Sequence, residues 1–188
     1  MKDGSVFEGE FENDEANGDG SYVDKWGNNF SIVDKEAGRF KKGELCGQGK
    51  AMIKNGDEYR GSFKCGKFNG KGVMNYRFLT GFMQSDKESG VYDGEWANGI
   101  RSGIGKMKWT DSSIFEGEWR DDCRMQGKLK TPSGITYEGY WKRGLFHGKG
   151  KLSIRGNMTI ECVFKEGKAP YNVKITYKDD SIYYGPIR

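Results

Sequence analysis

An aromatic residue, or a residue standing in its place, returns in one register eight times along this 188-residue chain: Phe7, Glu36, Tyr59, Tyr92, Phe115, Tyr137, Ile160 and Tyr183. The steps between them are 29, 23, 33, 23, 22, 23 and 23 residues. Recurrence at a fixed period of this size marks an architecture in which one supersecondary unit stacks on the next. It also places function on an extended surface of equivalent positions, not in one pocket.

The unit can be read from its clearest copies, Tyr92-Asp93-Gly94-Glu95-Trp96 and Tyr137-Glu138-Gly139-Tyr140-Trp141. Close variants begin at Phe7, Tyr59 and Phe115. Aromatic, polar, glycine, polar, aromatic is the period-2 pattern of a half-buried strand. Tyr92, Gly94 and Trp96 therefore share one face, and Asp93 and Glu95 the other. A turn follows at Asn98-Gly99, Cys65-Gly66, Arg143-Gly144, Lys42-Gly43 and Glu166-Gly167. Residues that tolerate positive φ are what a tight hairpin requires there. A second strand opens with Gly-x-Gly, as at Gly70/Gly72, Gly103/Gly105 and Gly148/Gly150. Bare backbone inside a strand gives neighbouring rings room to pack. Each repeat reads as one hairpin.

The Tyr-x-Gly-Glu-Trp strand, followed by a turn and His147-Gly148-Lys149-Gly150, at a 23-residue period, resembles the MORN repeat over essentially the whole chain. The resemblance implies an all-β fold: an elongated single-layer antiparallel sheet of tandem hairpins, curved and twisted, with a groove. One array over residues 1–188 is expected, with units beginning near 7, 36, 59, 92, 115, 137 and 160 and a partial unit from 183. Three units depart from the pattern. The second has Glu36-Ala37-Gly38-Arg39-Phe40 and lacks the first aromatic. The fifth is one residue short around Met125-Gln126-Gly127, and the seventh puts Cys162 where the first glycine belongs.

Composition agrees with a thin layer held by rings: 35% apolar residues, 14% aromatics and 30 glycines. No run is long enough to span a membrane as a helix, and Met1-Lys2-Asp3 opens no secretory signal. Cys46, Cys65, Cys123 and Cys162 fall at four different places in the repeat. They have no metal-ligand spacing and read as reduced thiols of a cytoplasmic protein. The net charge of +4 hides polarity. Residues 1–36 carry ten acids against three bases, and residues 123–157 carry eight bases against Glu138 alone. Such asymmetry can steer an acidic partner or head-to-tail or edge association.

The pattern holds no catalytic constellation. His147 is the only histidine and sits at a turn position of the repeat. Gly66-Lys67-Phe68-Asn69-Gly70-Lys71-Gly72 lacks both the spacing and the strand–loop–helix setting of a phosphate-binding loop. Paired acids such as Glu116 and Glu118 recur with the repeat, as cross-strand partners for lysine do. No enzyme activity, cofactor, metal or nucleic-acid partner is expected.

The expected activity is binding. Tyr59, Tyr92, Trp96, Phe115, Trp119, Tyr137 and Trp141 would line the groove or build its floor. A partner helix or extended segment would read successive repeats as spaced pockets. A ten-residue excess before Tyr92 carries Phe78, Leu79, Phe82 and Met83, apolar groups on a loop that offer a second contact. A smaller insert follows Phe30. The resemblance implies a scaffold or adaptor for protein partners in a cytoskeletal assembly, cilia and flagella (axonemes) among them. The competing expectation is an anionic-phospholipid-binding, membrane-tethering module, with Lys142, Arg143, Lys149 and Lys151 facing the lipid.

Overall fold

A computed structural model describes residues 4–77 and 89–186. It is all-β, with no helix among those residues. The chain divides into two compact units, residues 1–100 and 101–188.

The first unit contains β1 (Val6–Glu12), β2 (Glu15–Val23), β3 (Asn29–Ile32), β4 (Gly38–Lys41), β5 (Glu44–Met52), β6 (Glu58–Lys64), β7 (Lys67–Tyr76) and β8 (Gly90–Ala97). Each strand pairs antiparallel with the next, except that β3 and β4 share one place in the sheet between β2 and β5. The cause is the smaller insert. Phe30, 23 residues after Phe7, pairs with Tyr22 and Ala51, so Phe30 and not Glu36 fills the second unit's first ring position. The extra residues leave the sheet between Ile32 and Gly38, in a turn where Asp34 accepts the backbone N–H of Glu36, Ala37 and Gly38. The period is kept, and the surplus is held inside one strand.

The second unit contains β9 (Ile100–Trp109), β10 (Ile114–Arg120), β11 (Cys123–Lys130), β12 (Ile135–Lys142), β13 (Leu145–Ile154), β14 (Met158–Phe164), β15 (Asn172–Tyr177) and β16 (Ile182–Pro186). These pair in chain order, all antiparallel. Register aligns one residue per strand into rows. Met107, Phe115, Leu129, Tyr137, Leu152, Ile160, Ile175 and Tyr183 form the ring row. Two residues along, Gly105, Gly117, Gly127, Gly139, Gly150 and Cys162 form a glycine row.

The tight turns explain the register. At Lys42-Gly43, Cys65-Gly66, Asn98-Gly99 and Arg143-Gly144 both central residues have φ between 50° and 89°. That is the two-residue hairpin turn whose twist matches the strands. Turns also bond across repeats: Gly66 N–H donates to the Leu45 carbonyl at 3.0 Å, and Gly99 N–H to that of Phe68 at 2.8 Å. In the second unit Gly167 N–H donates to the Phe146 carbonyl at 2.9 Å.

The glycine row is the condition for the rings. A Cβ built on Gly150 would lie 2.7 Å from two carbons of the Tyr137 ring, which covers the backbone there. At the far end Ile160, Val173 and Ile175 form an aliphatic cluster with Leu152, Met158, Cys162 and Ala169 in place of rings. Cys162 takes the place of a glycine in the glycine row, and burial pushes its thiol pKa up.

Candidate partner-binding surface

Within each regular first strand the first aromatic meets the second edge-on. Tyr92–Trp96, Phe115–Trp119 and Tyr137–Trp141 have centroids 5.2, 5.3 and 5.1 Å apart at 89°, 89° and 87°. The same geometry runs across hairpins, with Tyr59–Trp96 at 5.4 Å in the first unit and Phe115–Trp141 at 5.6 Å in the second. Edge-to-face packing suits the ring quadrupoles and adds roughly 0.5–1.5 kcal/mol per pair beyond area burial.

The polar handles turn inward. Tyr59, Tyr92 and Tyr137 hydroxyls donate to the carbonyls of Ser62, Glu95 and Tyr140, three residues on, at 3.0, 3.0 and 2.9 Å. Trp96 and Trp119 indoles donate to the Gly72 and Gly105 carbonyls at 3.1 and 3.2 Å. By position Trp141 should bond the Gly127 carbonyl, yet its buried Nε1 has no partner. β11 is the strand one residue short: only Met125 bulges between Gln126 and Arg124, whereas Gly148 and Lys149 bulge from β13. Burial raises the pKa of both Tyr59 and Tyr137.

All seven rings named from the sequence are buried, from 0% exposed at Tyr59, Tyr92, Phe115 and Tyr137 to 5% at Trp96. Their ring faces are therefore closed to a partner. Tyr59, Tyr137, Trp119 and Trp141 are each covered by the second residue of a second strand, a position that sequence reasoning passed over. Phe68 stacks on Tyr59 at 3.9 Å and 17°, and Phe146 on Tyr137 at 3.8 Å and 9°. At the equivalent place on β9 and β11 a guanidinium replaces the phenyl group. Arg101 lies 4.4 Å over Trp119, and Arg124 lies 4.4 Å over Trp141. Asp122 holds Arg101 through Nε at 3.0 Å. Phe68, Arg101, Arg124 and Phe146 are half-buried, and a partner on this side would meet them first. The available signal was their constant place just after each turn.

The four bases named for lipid lie on the β12–β13 hairpin. Lys142 and Arg143 are exposed at the β12–β13 turn. Lys149 and Lys151 lie along β13, and Lys151 bonds Glu161 at 2.8 Å, the contact that raises its own pKa and lowers that of Glu161. Phe78, Leu79, Phe82 and Met83 fall outside the described residues. Among those described, the four cysteines are free thiols, no acidic, cysteine or histidine group could hold a metal, and no helix is long and apolar enough to cross a membrane.

Comparison with known proteins agrees with this architecture. The solved TCP domain of SAS-4 (dCPAP) from Drosophila melanogaster, in complex with a Proline Rich Motif of Ana2 (dSTIL), superposes with a TM-score of 0.52. The match covers 89% of this chain and 83% of that domain at 5% identity, a likeness of fold alone. In sequence, alsin of Rattus norvegicus is 30% identical over 139 residues, 73% of this chain, and human alsin is 29% identical over the same length. The matched stretch is 8% of alsin. The MORN repeat profile matches residues 7–29, 37–58, 59–77, 92–114 and 137–157, more than half of the chain. The chain belongs to the MORN-repeat family.

Proposed function

We propose that this protein is a non-catalytic scaffold or adaptor that holds a protein partner within a cytoskeletal assembly, a cilium or flagellum being the setting the family suggests. The observation that carries this reading is the layer of half-buried side chains seated on a wholly buried ring floor. Such a surface is rigid, amphipathic and repeated. In the second unit Arg101, Arg124 and Phe146 sit on alternate strands, about 9.6 Å apart. A polyproline II segment advances about 9.3 Å per three-residue turn, so it would set one side chain on each of these positions. Aromatic-lined surfaces are a known receptor for such segments. The proline-rich motif bound by the SAS-4 domain supports that class of partner.

The test is affinity capture by the intact chain and by an Arg124→Gln/Phe146→Ala variant, each checked for unchanged strand content. The account expects one protein captured by the native chain and lost, about tenfold or more, from the variant. Unchanged capture would move the contact off this surface. Capture of anionic phospholipid vesicles in place of protein would make membrane tethering the function.

A further inference from the structure

The opposite side of the second unit carries an order that ring packing does not require. Lys106, Lys128, Lys151 and Lys174 on β9, β11, β13 and β15 alternate with Glu116, Glu138 and Glu161 on β10, β12 and β14. All seven are in one register row, each opposite the next. All seven are exposed. Three ion pairs are formed along the row: Lys106–Glu116 at 3.8 Å, Lys128–Glu138 at 2.9 Å and Lys151–Glu161 at 2.8 Å. Exposed pairs of this kind contribute only about 0–1 kcal/mol each, so stability gives little reason for an unbroken alternation over seven strands.

The flanking row is of a different kind. Thr136, Ser153, Thr159 and Thr176 are opposite one another on β12 to β15 and are half-buried. Short side chains beside long ones leave a shelf along the charged row from β12 to β15, while on β9 to β11 the same row continues as Lys108, Ile114 and Lys130. Beyond the charged row's other flank, Ile104, Tyr140 and Val163 are exposed at 62%, 48% and 61%.

We infer that this face receives an α-helix of a partner protein, lying along the charged row and across the strands. The rungs repeat at about 4.8 Å. A helix returns a residue to one stripe every three to four positions, about 5.3 Å. The mismatch over the whole row is about 3 Å, within reach of lysine and glutamate side chains. The complementary stripe puts acidic residues a heptad apart, opposite the four lysines, with a basic residue midway opposite each glutamate. About 20 residues span the row. Apolar residues beside that stripe would cover Tyr140 and Val163. A second copy set about a two-fold axis between Glu138 and Lys151 would pair Lys128 with Glu161 and Glu116 with Lys174, so it is the rival occupant that the test must separate from a helix. A helix is the occupant favoured by the match between its stripe and the strand spacing.

This proposal is independent of the ring-side surface, and its test separates the two. A synthetic helix of about 20 residues with Glu-x-x-Lys heptads and flanking leucines is the probe, alongside its charge-swapped twin. Binding to the intact chain is read by fluorescence anisotropy. The first peptide should bind more tightly than the twin, and Lys128→Glu/Lys151→Glu should weaken it by about tenfold or more. A twin bearing lysine at the two matching positions should bind that variant better than the native chain. Phe146→Ala should leave all of this unchanged. No binding to the folded native chain would overturn the inference, as would affinity indifferent to the charge swap. A dimer in sedimentation that Lys128→Glu/Lys151→Glu dissolves would overturn it in favour of a second copy.

Discussion

At the scale of single residues, the indoles make a controlled comparison. Trp96 and Trp119 each spend the N–H on a glycine carbonyl, while the Trp141 N–H is buried without one. Replacing tryptophan by phenylalanine should therefore cost about 1 kcal/mol more at 96 and 119 than at 141, the worth of a hydrogen bond. Urea unfolding measures this, and equal costs at all three would mean that Trp141 finds an acceptor in solution. The phenols give a pH prediction. Burial favours the neutral form of Tyr59 and Tyr137, so their pKa values are higher folded than unfolded. That contribution is complete below about pH 10, the ordinary tyrosine value, and is lost as pH rises beyond it. Phenolate absorbance from these rings should thus appear together with loss of strand circular dichroism. Ionisation near pH 10 with the sheet intact would contradict the burial. Gly150→Ala forces a methyl group against the Tyr137 ring and should cost about 1–3 kcal/mol or more.

At the scale of the hairpin, turn chemistry and bulge length set the geometry. The Asn13-Asp14 turn has both residues at positive φ, 51° and 61°, without the usual glycine. Asp14→Gly should stabilise by about 0.5–1 kcal/mol, and a lowered urea midpoint would show that the aspartate side chain has a role here. Hairpins of this type were legible in the sequence, because turn, glycine row and ring row each repeat with the period. The second unit was harder. Its missing aromatic is Phe30, hidden because the insert lies inside the strand after the ring, where counting back from Phe40 arrives at Glu36. The fifth unit's lost residue was visible as a spacing of 22, but the indole without an acceptor at Trp141 could not be read from spacing. The ring cover was missed for another reason. Alanine, leucine, phenylalanine and arginine alternate at Ala16, Leu45, Phe68 and Arg101, so composition hides a position that geometry makes equivalent.

At the scale of the whole molecule, this MORN array gives its rings to its own packing and leaves other side chains at the surface. On one side these are the row of covering side chains, and on the other a charged row ordered strand by strand. The sequence named these rings as lining or floor of a groove, and in the structure all seven are buried. The measurement that tests this account most directly is crosslinking mass spectrometry on the native protein in its own cell extract, with the Arg124→Gln/Phe146→Ala variant alongside. The account predicts crosslinks from the native chain to one recurring protein, and their loss in the variant. Phospholipid copurifying without any recurring protein, or crosslinks identical in the two samples, would contradict it.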